Sequence, residues 1–166
     1  MRVGFVDECK TPSFALVLVV VESEAVVTAR TASLSLRMKG QRRIHFKNES
    51  DSRRRQILSA YAKLEFDVVI FESKRRSHYE ARRSCLLALA DAASAQGITQ
   101  LVFETDQSTV KLDGEVLRKS QIRFKHLPAH QEPCLWLPDA YGWVNQRGSN
   151  WATYLKDHDF QKVIVQ

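Results

Sequence analysis

Two nearly continuous apolar runs open the chain, residues 2–7 and 14–21, with Thr11-Pro12-Ser13 between them. Runs this short and this rich in Val, Leu and Phe fit strands covered on both faces. The proline-bearing turn between them predicts an antiparallel hairpin at the start of a sheet. The remainder of the chain must then supply the elements that cover that hairpin. With 166 residues, 44% of them hydrophobic, it can bury such a core without disulfides or structural metal, and a single domain over 1–166 is expected.

Further along, residues 24–36 fit a helical face (Ala25, Ala29, Ala32, Leu36) and an alternating strand (Ala32, Leu34, Leu36) equally well. Arg43-Ile44-His45-Phe46 reads as a short strand. A helix over about 50–64 follows, capped by Asn48 or Ser50, with Ile57, Leu58, Tyr61 and Leu64 on one stripe. The pattern then predicts a strand at Asp67 to Phe71, a helix over 78–96 stopped by Gly97, and a strand at 99–104. Residues 107–119 are partly helical in pattern, Ile122 to Leu127 is strand-like, and a last helix begins near Asp139 after Pro138. Strands first, then alternating helix and strand, give an α/β fold: a mixed sheet flanked by helices, antiparallel first and parallel after.

The apolar run from Phe14 to Val21 falls well short of the roughly 20 residues that span a bilayer, and the N-terminus lacks a signal-peptide layout. A cytoplasmic protein with no membrane partner is expected. Cys9, Cys85 and Cys134 are odd in number and far apart, as free thiols are. The net charge of +6 is concentrated in the N-terminal half, at Arg37, Lys39, Arg42 and Arg43, at Arg53-Arg54-Arg55, at Lys74-Arg75-Arg76 and at Arg82-Arg83. Such density attracts polyphosphate, so nucleic acid is the expected partner, with Arg42, Arg43, Lys74, Arg75 and Arg76 as candidate contacts. Solvated helix faces and loops are the plainer explanation for the same clusters.

Acids recur at the ends of apolar segments: Asp7 and Glu8 after Val3-Gly4-Phe5-Val6, Glu104 and Asp106 after Leu101-Val102-Phe103, and Asp139 after Leu135-Trp136-Leu137-Pro138. Two-metal phosphoryl chemistry needs about three or four carboxylates from separate elements, around ions roughly 3.5–4 Å apart. Asp7, Asp106 and Asp139, with Glu8 or Glu104 as a fourth, meet that demand for Mg²⁺ or Mn²⁺. Glu104 and Asp106, two apart, would share one face of a strand, so the strand boundary decides which of them reaches the cluster. Each acid also has a structural explanation, as a turn former at Asp7-Glu8, a helix cap at Asp106 or a first-turn acid at Asp139. His45 can ligate metal or handle a proton, although a lone histidine is more often structural. His126, His130 and Cys134 are zinc-ligand types, but Pro128 and Pro133 keep them off one continuous helix and no fourth ligand accompanies them.

Phe5-Val6-Asp7-Glu8, Ile44-His45-Phe46, the acids at Glu104 to Asp106 and Leu135 to Asp139 together resemble the bacterial domain of unknown function 3800 family. The resemblance implies a ribonuclease-H-like fold and metal-dependent nuclease activity, with Asp7, Asp106, Asp139 and His45 as catalytic candidates. The chain departs from that pattern at Cys9-Lys10, where the family has a small residue and glycine, and at Arg43, near the place of an acid. A fold that kept its shape and lost its chemistry, binding nucleic acid or a protein partner without cleaving, is the alternative expectation.

Overall fold

A computed structural model describes residues 1–166. The expected hairpin forms from β1 (Arg2–Cys9) and β2 (Phe14–Glu22), paired antiparallel with Asp7 opposite Val17 and Glu8 opposite Leu16. Every residue of β2 except Glu22 is buried. Its even-numbered side chains, Phe14, Leu16, Leu18 and Val20, enter one core, and Ala15, Val17, Val19 and Val21 enter the other. The two-residue period of a strand thus divides the molecule into two apolar layers.

The remaining elements are α1 (Val26–Ser35), α2 (Asp51–Tyr61), β3 (Asp67–Ser73), α3 (His78–Ala95), β4 (Ile98–Glu104), α4 (Val110–Leu117), β5 (Arg123–Leu127), α5 (Trp136–Arg147) and β6 (Asp159–Val165). The six strands lie in the order β5-β4-β1-β2-β3-β6. β1, β2 and β3 are antiparallel neighbours, while β4 joins β1, β5 joins β4 and β6 joins β3 in parallel. The sheet is therefore mixed, antiparallel through its centre and parallel toward both edges. One face carries α5 with Tyr61, Trp136 and Tyr141 in its core, and the other carries α3 with Cys85, Leu86 and Leu89. No helix is long and apolar enough to cross a membrane.

Helix ends follow local chemistry. The Ser50 hydroxyl accepts from the Arg53 amide to start α2, and Ser77 accepts from the Glu80 amide to start α3. Gly97, at φ +70°, reverses the chain after α3, a left-handed conformation that glycine adopts without steric penalty.

Two local expectations are resolved, and one strand is new. The ambiguous 24–36 segment is helical, and its buried residues are the small Ala29 and Ser33, one turn apart, with the Ser33 hydroxyl 3.1 Å from the Tyr61 hydroxyl. The strand expected at 43–46 does not form. Ile44 and Phe46 drop into the core, a short 3-10 turn follows at Phe46–Asn48, and the Phe46 amide donates to the Asp139 carboxylate at 2.9 Å instead of to a sheet ladder. β6 carries little apolar patterning because it is a half-exposed edge strand.

Candidate functional site

Strand parity decides where the acids of β1 go. Phe5 belongs to the core under α5 and Val6 to the core under α3, so Asp7 leaves the sheet on the α5 face and Glu8 on the α3 face. On β4, Val102 lies in the α5-side core and Phe103 in the other, which puts Glu104 on the α5 face. Val6 pairs with Phe103, so Asp7 and Glu104 are neighbours one step beyond the last register pair. Helix α5 brings the third acid. Gly142 lets it lie close on the hairpin, since a Cβ there would stand 2.6 Å from Cys9 Sγ and 3.2 Å from Val17 Cγ2. Asp139, three residues earlier, projects from the same side of the helix.

The three carboxylates crowd one another. Burial pushes the Asp7 carboxyl well above the usual aspartate range, reinforced by the charges of Asp139 and Glu104 and by a side-chain hydrogen bond with Glu104. The Glu8 amide, donating to Asp7 Oδ1 at 2.8 Å, opposes that rise only in part. Asp139 is also raised by burial, against the opposing pull of the Phe46 amide, His45 and Arg43. Burial and the nearby acids push the Cys9 thiol up as well, so it stays protonated and inert at neutral pH. The counter-charge is Arg43, whose Nη1 is 2.9 Å from Glu104 Oε1 and whose Nη2 is 3.7 Å from Asp139 Oδ2. His45 and Lys47 line the same cleft, and His45 Nδ1 is buried with no hydrogen-bond partner.

Asp106 does not join this cluster. β4 ends at Glu104, and the Thr105 amide donates to the Leu127 carbonyl at 2.9 Å as the chain turns away. Asp106 Oδ1 then accepts from the Ser108 hydroxyl at 2.7 Å and amide at 3.0 Å, and the hydroxyl bond chiefly holds its pKa below the usual value. The residue is a turn former lining a depression that Asp7, Glu8 and Glu104 line as well.

Glu8 has its own partners. Arg82 Nη1 is 2.6 Å from Glu8 Oε2, and the Arg82 guanidinium is gripped by both oxygens of Asp113, each at 2.8 Å. His126 Nε2 lies 2.8 Å from the same Asp113 carboxylate. Burial alone would raise Asp113, but the bonds from Arg82 and His126 outweigh it and hold its pKa below normal. Sequence reasoning missed Arg82 and Asp113. The available signal was an arginine on the stripe of α3 that buries Ala81, Cys85, Leu86 and Leu89, a place where a cation requires a buried acid.

The remaining expected residues scatter. Lys74, Arg75 and Arg76 lie on the exposed loop after β3, where Arg75 is 3.9 Å from Glu80, and Arg42 is exposed beside the cleft's Arg43. His126 is bound to Asp113 while Cys134 Sγ is buried against the Val26 carbonyl, so the zinc-type set does not converge. A surface that pairs an arginine of the Arg53–Arg55 cluster with an aromatic side chain adjoins the acids. Trp143, which lines the cleft, has the Arg54 guanidinium 4.3 Å and that of Arg147 5.6 Å from its ring.

The donor set of the cleft suits a hard divalent cation, since it offers three carboxylates from three elements and an unpartnered buried imidazole nitrogen at their rim. As the side chains stand, no group of three or more His, Cys, Asp or Glu residues is arranged to hold an ion. Glu104 is turned onto Arg43 instead, and Asp139 is bonded to the Phe46 amide at 2.9 Å with Arg43 at 3.7 Å.

No protein-family model matches the chain, and no curated protein matches it. Among solved structures, it is similar to a chain in the complex of PCNA and RNase HII from Archaeoglobus fulgidus, with a TM-score of 0.63 over 89% of this chain and 73% of that one, at 12% identity. The fold is thus α/β of the ribonuclease-H-like class: a mixed six-stranded sheet flanked by helices. At this identity the likeness shows the fold alone, and the narrower resemblance to the domain of unknown function 3800 family is supported by no family model.

Proposed function

We propose that the chain is a divalent-metal-dependent nuclease-like protein that hydrolyses nucleic-acid phosphodiesters at the cleft between β1, β4 and α5. The observation that carries the reading is the convergence of Asp7, Glu104 and Asp139, with the Asp7 carboxyl raised well above its usual range by burial first and then by the charges of Asp139 and Glu104. Carboxylates crowded in this way are stabilised by a divalent ion. Asp7, Glu104 and Asp139 would hold Mg²⁺ or Mn²⁺. When bound, the ion supplies Lewis acidity toward the phosphoryl group and a water acidified toward neutral pH.

The chain's own side chains would do the rest. Lys47, exposed at the cleft, and Arg43 would draw a phosphate into position, because guanidinium and ammonium groups match phosphate oxygens. His45, through its unpartnered Nδ1, would move a proton at the reacting oxygens. Arg55 and Arg147, exposed on the adjoining surface, would track the backbone beyond the reacting phosphate. The resemblance at Phe5 to Glu8 and Ile44 to Phe46 favours the same reading.

The test is cleavage of labelled single-stranded and duplex DNA, RNA and hybrid, with Mg²⁺, with Mn²⁺ and with EDTA. Metal-dependent cleavage that Asp7→Asn abolishes is expected, and cleavage surviving in EDTA or in Asp7→Asn contradicts the reading. A second reading, nucleic-acid binding without catalysis, is favoured by one observation: Arg43 already neutralises two of the acids. It predicts salt-dependent binding indifferent to divalent ions and no cleavage by the wild type.

A further inference from the structure

Two arginines are paired to carboxylates beside β1, and they are held very differently. Arg82 is 6% exposed and fixed by two 2.8 Å bonds to Asp113 and one of 2.6 Å to Glu8. Arg43 is 22% exposed, makes one short contact to Glu104, and sits at 3.7 Å from Asp139 and 3.4 Å from the Ile44 carbonyl. Arg43 lines the cleft together with Lys47 and Gln146. Arg82 is locked, whereas Arg43 is displaceable.

The oxygens that Arg43 faces, Glu104 Oε1 and Asp139 Oδ2, belong to two of the three acids that would hold a divalent ion. A guanidinium is charged at every accessible pH, and an ion coordinated at about 2.0–2.6 Å would need the same carboxylates while repelling that charge. The two cations therefore exclude each other. Moving Arg43 off the acids in isolation would strand it in a half-buried rim, but a phosphate oxyanion offers its fork a bidentate partner as good as a carboxylate.

We propose that Arg43 is the resident cation of this site: it competes with divalent metal for Glu104 and Asp139, and yields when a phosphodiester takes its guanidinium, so that metal and substrate load together. The proposal rests on the metal-dependent reading above and adds to it a positioning residue that couples the two ligands. By linkage, whatever factor the phosphodiester adds to metal affinity the metal adds to phosphodiester affinity.

Opposite signs of a single substitution test it. Mn²⁺ alone is titrated by calorimetry into wild type, Arg43→Gln and Arg43→Gln/Asp139→Asn, and a fluorescent single-stranded oligodeoxynucleotide is titrated by anisotropy in EDTA. Arg43→Gln is expected to bind Mn²⁺ at least tenfold tighter than wild type, to lose that gain in the double variant, and to bind the metal-free oligonucleotide several-fold more weakly. Equal Mn²⁺ affinity in wild type and Arg43→Gln, or unchanged oligonucleotide affinity, overturns the inference and leaves the metal site standing. Absence of Mn²⁺ binding in both overturns the metal reading and the inference with it. Circular dichroism checks the fold, and if Arg43→Gln unfolds, Arg43→Lys, which keeps the charge but loses the fork, must show the same two shifts in smaller degree.

Discussion

Asp7 and Glu8 are adjacent on β1, leave it on opposite faces of the sheet, and enter carboxylate clusters of opposite character. On the α3 face, Glu8 and Asp113 share Arg82, His126 adds a 2.8 Å contact to Asp113, and the Asp113 pKa falls. On the α5 face, Glu104 and Asp139 share Arg43, Asp7 has no cation of its own, His45 lies at the rim, and the pKa values of both buried aspartates rise. Identical residue types thus build a finished ion network on one side and an under-compensated one on the other. The under-compensated cluster is where the proposed chemistry is assigned, and the fully paired one is assigned to structure.

The comparison breaks most visibly under substitution of the acids. Asp113→Ala strands the buried Arg82 guanidinium and is expected to destabilise the fold by about 3–5 kcal/mol, read by urea denaturation. Glu104→Gln and Asp139→Asn are expected to leave stability nearly intact and lower metal-dependent cleavage about 10³-fold, roughly 4 kcal/mol of transition-state stabilisation, measured as kcat/KM.

Stability should also respond to pH in opposite senses on the two faces. Asp7, raised in the fold, contributes stability that is full below about pH 4 and is lost as pH rises through its folded value. Asp7→Asn removes that loss, so its denaturation midpoint should gain on the wild type as pH increases from about 4 to 8. Asp113, lowered in the fold, contributes stability present above about pH 4 and lost as pH falls through its folded value. The smallest effect belongs to Asp106→Ala, which loses a turn bond on the surface. About 1 kcal/mol or less of stability and under tenfold of activity are expected, by thermal melting and the same kinetic assay.

Much of this arrangement was legible before the structure. The hairpin, α2, α3 and the strands β3, β4 and β5 announce themselves because burial on one or two faces imposes a period that survives in the residues. The position of Asp7 near the end of a strand was legible because it ends such a run. The choice of Glu104 over Asp106 was not, because it depends on β4 ending at Glu104 and on the Ser108 turn that holds Asp106 off the strand. Arg43-Ile44-His45-Phe46 reads as a strand by composition, yet the Phe46 amide is spent on Asp139, ninety-three residues away. β6 was silent for a different reason: an edge strand half in water needs little apolar pattern. The separate fates of Asp7 and Glu8 were implicit in strand parity, but which face held Arg82 and which held α5 was a matter of tertiary packing.

The most direct test of the contrast is kcat/KM for metal-dependent phosphodiester cleavage by Asp7→Asn beside that of Glu8→Gln, each corrected for its folded fraction. Asp7→Asn is predicted to lose about 10³-fold or more while folding at least as stably as wild type, and Glu8→Gln to stay within tenfold while losing stability. Cleavage retained by Asp7→Asn, or lost as deeply by Glu8→Gln, would contradict the assignment of chemistry to the α5 face and of structure to the α3 face.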